Sequence, residues 1–316
     1  MSHENSYTAE EISKILKVSK LTIYDLIKKG DLPSYRVGKQ MRVDESDLEA
    51  YKQKSKGVSV QAQHELPTRP APSSTPIVSQ GIRPIVITGQ DISLDILAKH
   101  LEKKTTGIRP LRSYAGSLDS LITMYQGESD IVSTHLLDGD TGEYNLPYIR
   151  KLLVGFSYLV VNLLSRRAGF YVGQGNPHKI TNWTDLNRQE LRFVNREKGS
   201  GARILLDEQL RLHGIKPEHL IGYNHELTNH LGVAAKVASG EADVGLGIEK
   251  AASIVGNIEF IPLIQERYDL VMIKRADNQP WIDSLMLILQ SEDFKQELRA
   301  IAGYDLSLTG QILYET

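Results

Sequence analysis

Three turns in the C-terminal part of the chain place small or hydroxyl residues at the start of an amphipathic segment: Gly89-Gln90-Asp91, Gly116-Ser117 and Ser200-Gly201-Ala202. The first turn of a helix carries N–H groups without intrahelical partners and the positive end of the helix dipole, which suits an anion. Brought face to face, such turns form a pocket for a small dianion, and Arg203 adds a charge-assisted bond. The residues themselves specify an oxyanion and no more. The plainer alternative is that Ser117 and Ser200 only cap their helices and that Arg203 serves an ion pair between lobes. A carboxylate repels an anion, so Asp91 reads as a helix cap and the Gly89 and Gln90 end of its turn as the ligand side.

Other chemistry finds little support. The chain has no cysteine, which excludes disulfides, Cys-ligated metals and thiol nucleophiles and fits a reducing cytoplasm. His135, Asp138 and Glu143 share no regular ligand spacing. His225 and His230 stand five apart without an H-E-x-x-H partner, so they read as satisfied or solvent-facing. No Ser/His/Asp arrangement, Walker loop or GxGxxG occurs. The expectation is a protein that is not an enzyme and carries no cofactor.

The elements that must hold these turns follow from periodicity. Arg83 to Thr88 is a short buried-strand run, and Leu94, Leu97 and Leu101 mark one face of the helix after it. The strand, turn, helix pattern recurs at Leu111 to Ser117, with Leu118, Leu121, Ile122 and Tyr125 on the helical face. It recurs again at Leu191 to Ala202, with Ile204, Leu205 and Leu210. Alternation of this kind implies a mainly parallel sheet. Gly127-Glu128-Ser129-Asp130-Ile131-Val132 is echoed by Gly240-Glu241-Ala242-Asp243-Val244-Gly245. Two similar α/β lobes are the economical inference. The apolar runs Leu152 to Leu164 and Ile258 to Ile273 read as the strands that cross between them, making a hinged cleft.

The N-terminal part differs. Lys14 to Arg42 holds eight basic residues against Asp25 and Asp31, a footprint suited to a polyanion. Thr8 and Glu11 have capping-box spacing ahead of Ile12, Ile15 and Leu16. Ser19 caps a second helix that ends at Gly30, so two short helices form a helix-turn-helix. Tyr35 to Val43 alternates around Gly38-Lys39 as a hairpin, and Asp44 to Asp47 caps a last helix through Tyr51. From Lys52 to Ile82 periodicity stops in a Pro- and Ser-rich stretch that reads as a linker. The longest apolar stretch is too short to span a membrane, and the Met1 end has no signal-peptide pattern. A soluble cytoplasmic protein is expected.

Residues 7–52 closely resemble the excisionase-type, MerR-like winged helix-turn-helix. The resemblance implies that Ser19, Lys20, Thr22, Tyr24 and Lys28 face the major groove or its phosphates and that Arg36, Lys39 and Arg42 grip the backbone; for Tyr24, packing against the module's own core is the other reading. Residues from about 82 to 310 resemble the molybdate-binding-protein-like sensor domain of bacterial regulators, a type 2 periplasmic-binding-protein architecture. The motifs are His135-Leu136-Leu137-Asp138 with Thr141 to Asn145, Gly199 to Asp207, and Gly240 to Ile248. The chain departs from the family's Gly-Ser-Gly-Thr-Arg pattern at Ala202. The resemblance implies molybdate or tungstate as ligand, and the expected ligand-binding residues are Gly89, Gln90, Gly116, Ser117, Ser133, Ser200, Gly201, Ala202, Arg203 and Gly247.

The expected organisation is a small winged helix-turn-helix domain at 1–55, a flexible linker at 56–81 and an α/β two-lobed type 2 periplasmic-binding-protein-like sensor at 82–316. The expected partners are double-stranded DNA, a small oxyanion and a second copy in a homodimer, with no membrane. The competing readings are an enzyme or metal-insertion factor of molybdenum metabolism on the same two-lobed fold, and a phage-type architectural DNA protein with a vestigial sensor.

Overall fold

Local capping sets the helix starts of the N-terminal unit. Thr8 donates its N–H to Glu11 Oε2 at 2.7 Å while Glu11 N–H reaches Thr8 Oγ1 at 3.4 Å; Ser19 Oγ accepts from Thr22 N at 3.1 Å. The computed structural model describes residues 6–16, 18–29, 32–37, 40–55 and 82–316. In the first of its two units these form β1 (Ser6–Thr8), α1 (Ala9–Leu16), α2 (Lys20–Lys29), β2 (Tyr35–Val37), β3 (Gln40–Asp44) and α3 (Glu45–Ser55). The sheet order is β1-β3-β2. Ile12, Ile23, Leu32, Val43 and Leu48 make its core. Strand β1 had no sequence signal beyond the Thr8 cap. The expected Gly38-Lys39 turn and the linker 56–81 lie outside the described residues.

The second unit contains β4 (Arg83–Thr88), α4 (Ser93–Lys104), β5 (Ile108–Ser113), α5 (Ser117–Tyr125), β6 (Ile131–Thr134), α6 (Leu146–Leu152) and β7 (Tyr158–Gly173). It continues with β8 (Phe193–Arg196), α7 (Gly201–Leu212), β9 (Glu226–Leu227), α8 (His230–Ala238), β10 (Val244–Ile248), α9 (Glu249–Ile254) and β11 (Ile258–Ile273). It closes with α10 (Gln279–Gln290), α11 (Glu292–Arg299), β12 (Tyr304–Asp305) and β13 (Ile312–Glu315). One sheet runs β5-β4-β6-β11-β7-β10-β8-β9, and β12 and β13 add to β7.

The sheet corrects the expectation of mainly parallel pairing. Pairs β4–β5, β4–β6, β8–β10 and β8–β9 are parallel. The crossing strands β7 and β11 pair antiparallel to each other along their length, and to β10 and β6 respectively. A chain that leaves a lobe and returns must cross in opposite directions, and periodicity carries no direction. The first crossing strand also starts later than expected: Leu152 ends α6 and β7 begins at Tyr158, since a continuous apolar run does not distinguish helix end from strand. On α5 the buried face is Ser117, Ser120, Leu121 and Met124, whereas Ile122 and Tyr125 are exposed.

Each lobe buries both faces of its part of the sheet. In the first lobe α4, α10 and α11 cover one face, with Leu97, Leu285 and Phe294 in the core, and α5 and α6 cover the other with Leu121 and Ile149. In the second, α7 packs Leu205 and Leu206 against Phe170 and Leu246, while α8 and α9 bring Val233 and Ala251 onto Tyr171 and Val194.

Candidate functional site

At the midpoint of the crossing strands Arg166 is paired with Glu266 in register. Both are buried. Arg166 Nε donates to Glu266 at 2.5 Å, Nη1 to Asp91, and its guanidinium lies 4.4 Å from the Tyr268 ring centre. His135 Nδ1 is 3.1 Å from the other Glu266 oxygen. Burial opposes ionisation of Glu266, but His135 and Arg166 override it and hold the carboxyl at about 2. Asp91 is likewise held below its ordinary value against its burial, chiefly by Arg166. It also accepts from Ser93 N–H at 2.8 Å, one residue ahead of the Ile92 N-cap of α4, and its further pairing with Arg166 had no local signal.

A cavity of about 250 Å³ stands over this charged floor. From the first lobe it receives the β4–α4 turn (Gly89 to Ile92), the β5–α5 turn (Ala115 to Ser117), Ser133 and His135; from the second, Ser200 to Ala202, Asn229 to Leu231, and Ile248 with Lys250 and Ala251. Five helix starts thus converge from both lobes. Eight of the ten expected ligand residues line it: Gly89, Gln90, Gly116, Ser117, Ser133, Ser200, Gly201 and Ala202.

Their side chains divide by what they already bond. Ser117 Oγ accepts from His135 N–H at 3.3 Å, leaving its own hydrogen for another partner. The Ser200 hydroxyl donates to Glu197 O at 2.8 Å and accepts from Arg203 N–H at 3.2 Å. That is helix capping, and the N–H groups of Gly201 and Ala202 are what its turn offers. Ser133 Oγ is 2.6 Å from Tyr268 OH. Gly89 has φ 144°, and a Cβ there would stand 1.9 Å from Ser133 Oγ.

Arg203 and Gly247 stand apart from the cavity. Arg203 lies 4.1 Å over the Tyr223 ring and pairs with Asp207 at 3.1 Å and Glu226 at 3.0 Å. These partners belong to its own lobe, so it makes neither a cavity wall nor an ion pair between lobes. Gly247 sits within β10, where a Cβ would meet Tyr171 OH at 2.2 Å.

The lobes touch across the cleft. Leu118 N–H reaches Gly199 O at 3.0 Å. A Cβ on Gly116 would meet Gly199 O at 2.6 Å, and one on Gly201 the His135 ring at 2.4 Å. Gln90 Oε1 accepts from Arg196 Nη2 at 2.5 Å and its Nε2 donates to Glu197 Oε1 at 3.1 Å. Its amide is therefore a latch between lobes.

Residues that sequence reasoning missed or set aside carry much of the cavity: His135, Arg166, Arg196, His230, Lys250 and Tyr268. His230 corrects the expectation of a satisfied or solvent-facing ring. Its Nδ1 is shut off from solvent and has no partner; burial first, then the nearby Arg196, Arg166 and His135 charges, keep the ring neutral. Lys250 is lowered, mainly by desolvation, and Tyr268 is pushed up to about 12 by burial and by Asp91. His225 is exposed. Among the described residues no group of three or more His, Asp or Glu side chains is placed to hold a metal ion.

In the N-terminal unit Ser19 and Thr22 bond each other at 2.8 Å at the start of α2. Lys20 pairs with Glu10 at 3.5 Å, and Tyr24 is exposed rather than packed in the module's core. Arg36 is exposed on β2. Arg42 is turned inward to Ser6 Oγ at 3.1 Å. Lys39 and the side chain of Lys28 lie outside the described residues. Among the described residues no helix is long and apolar enough to cross a membrane.

Comparison with known proteins agrees with this architecture. Residues 98–290 match the model for the PBP superfamily domain, and residues 6–56 match that for the helix-turn-helix domain. The chain is 49% identical to the protein YvgK of Bacillus subtilis over 100% of both chains. It is 51% identical over 112 residues to a protein encoded in the ferredoxin 2Fe-2S gene 5' region of Clostridium pasteurianum, covering 35% of this chain and 99% of that one. Among solved structures, the sulfate-binding protein SubI from Mycobacterium tuberculosis has a TM-score of 0.50 at 14% identity, covering 70% of this chain and 86% of that one. A variant of ArgBP from T. maritima has a TM-score of 0.50 at 12% identity, covering 69% and 94%. The chain belongs to the PBP superfamily domain family, with a helix-turn-helix domain ahead of the two-lobed domain.

Proposed function

We propose that the chain is a ligand-responsive transcriptional regulator whose N-terminal domain binds double-stranded DNA and whose two-lobed domain closes on a small oxyanion. The observation that carries this is the convergence of helix starts from both lobes on one cavity, beside the unpartnered His230 Nδ1. A buried polar atom without a partner is costly, and an anion bound there satisfies it in the tautomer that carries the proton on Nδ1, together with Ser117 and the Gly201 and Ala202 N–H groups. Molybdate and tungstate are what the sequence resemblance nominates. SubI, a sulfate-binding protein by name, supports an oxyanion on this fold.

Ligand acts through differential affinity. An anion touched by both lobes rewards the closed arrangement, and only that difference shifts an equilibrium. The regulator works in the cytoplasm as a homodimer, since helix-turn-helix modules read paired half-sites. The 1–55 module, the 56–81 linker and the 82–316 sensor are its working parts; α2 enters the major groove with Ser19, Lys20, Thr22, Tyr24 and Lys28, and the wing contributes Arg36 and Lys39. A thermal-shift panel of molybdate, tungstate, sulfate and phosphate, followed by operator titration with and without each stabilising anion, tests the reading. Stabilisation by one of them with a changed DNA affinity supports it; DNA binding indifferent to every anion that binds would overturn it.

A further inference from the structure

The cavity is lined by both polar and apolar groups. Buried Ser117, Ser133, Arg166 and Tyr268 stand beside buried Ala202, Ile248 and Ala251. Ile92 from the first lobe and Leu231 and Ile254 from the second also line the space, yet they are 47%, 44% and 60% exposed. Large aliphatic side chains left half in water are costly unless something apolar covers them.

We propose that the cavity's occupant is an organic oxyanion, with its charged head at Ser117, the Gly201 turn and His230 and a short apolar substituent against Ile92, Leu231 and Ile254. This rests on the reading of the cavity as the effector site. The electrostatics are consistent with one modest negative charge. Arg166 is already held by Asp91 and Glu266, with His135 against Glu266, and Arg196 by Glu197. Lys250, with its Nζ 5.7 Å from the Tyr304 ring centre, and the neutral His230 remain for the head. Leu231 follows His230 at the start of α8, so one helix start carries both a donor for the head and an apolar contact for the substituent. Because Ile92 comes from the opposite lobe, an apolar substituent also joins the lobes and adds to the reward for closure.

The test compares matched anions on the full-length chain by calorimetry: phosphate against propyl- and phenylphosphonate, acetate against pentanoate and benzoate, with molybdate and tungstate alongside. Each methylene buried strengthens binding about fourfold, so the substituted anion of the preferred head binds at least tenfold tighter than its bare parent. In Leu231→Ala and Ile254→Ser, with folding verified by circular dichroism, that advantage falls by at least fivefold. Two results overturn the inference while leaving the effector site standing: molybdate or tungstate binding tighter than every substituted anion, or substituted and bare anions binding alike. If no anion of either kind binds, the reading of the cavity as an oxyanion site fails, and this inference with it.

Discussion

Replacing Gln90 with alanine removes the amide that joins the lobes while leaving both lobe cores untouched. The amide accepts from the Arg196 guanidinium and donates to the Glu197 carboxylate at 3.1 Å, and hydrogen bonds to charged groups contribute about 1.5 to 3 kcal/mol each. Arg196 and Glu197 also bond each other at 2.8 and 2.9 Å, so neither charge is stranded when the amide is lost. The two bonds together are therefore worth about 1.5 to 3 kcal/mol to the closed arrangement. At about 1.4 kcal/mol per tenfold, closure becomes roughly ten- to a hundredfold less favourable. A ligand that binds only the closed form then loses affinity by up to that factor, because its apparent affinity scales with the competent fraction. Calorimetry with an anion that stabilises the wild type reads the loss, and small-angle scattering of the unliganded protein reads the opening. Binding within twofold of wild type together with an unchanged radius of gyration would refute the latch.

Further outcomes follow from the same geometry. Gly201→Val drives a side chain into the His135 ring, where even a Cβ stands at 2.4 Å; the lobes are wedged apart, ligand binding falls at least tenfold, and thermal unfolding still shows folded lobes. Ser200→Ala costs about 1 kcal/mol of stability as a lost cap and changes anion affinity less than threefold, whereas Ser117→Ala loses about 1 to 3 kcal/mol of binding; calorimetry showing the reverse order would reassign the two hydroxyls. Glu266→Gln is the pH test. The folded carboxyl sits at about 2 against an ordinary 4.5, so its contribution, on the order of 3 kcal/mol, is present above pH 4.5 and is lost as pH falls toward 2. The stability gap between wild type and Glu266→Gln in denaturant melts narrows over that window, and a gap that stays constant from pH 6 to 3 contradicts the assignment. Arg36→Ala weakens DNA binding on all sequences alike and flattens the salt dependence, while Thr22→Ala alters base preference; a selection experiment showing the opposite pattern exchanges wing and recognition helix.

How far the molecule was legible depends on how local each cause is. Helix starts were readable because the cap and its target lie within a few residues: Thr8 with Glu11, Ser19 with Thr22, Ser200 with Arg203. Three of the five turns that line the cavity, at Gly89, Gly116 and Ser200, were readable for the same reason, whereas the starts of α8 and α9 were not. Strand direction was not, because β6 and β11 are apolar in both senses and only the return path of the chain makes them antiparallel. The α5 face was misjudged at Ile122 and Tyr125 because Leu118, Leu121, Ile122 and Tyr125 have the same helical spacing as the buried Ser117, Ser120, Leu121 and Met124 one position earlier, and apolar identity chose between two faces that the period allows equally.

The charged floor was the hardest part to read, and its reason is register. Arg166 meets Glu266 only because β7 and β11 pair antiparallel over their whole length, a relation between residues far apart in the chain. A signal was nonetheless present: Arg166-Arg167 and Glu266-Arg267 each interrupt the middle of a long apolar strand, where an unpaired charge is prohibitively costly. Opposite charges at matching depths in two crossing strands meet in the observed register, Arg166 opposite Glu266. The same argument explains Asp91. Its carboxylate looked out of place beside an anion, but it pairs with a buried arginine that also holds Glu266.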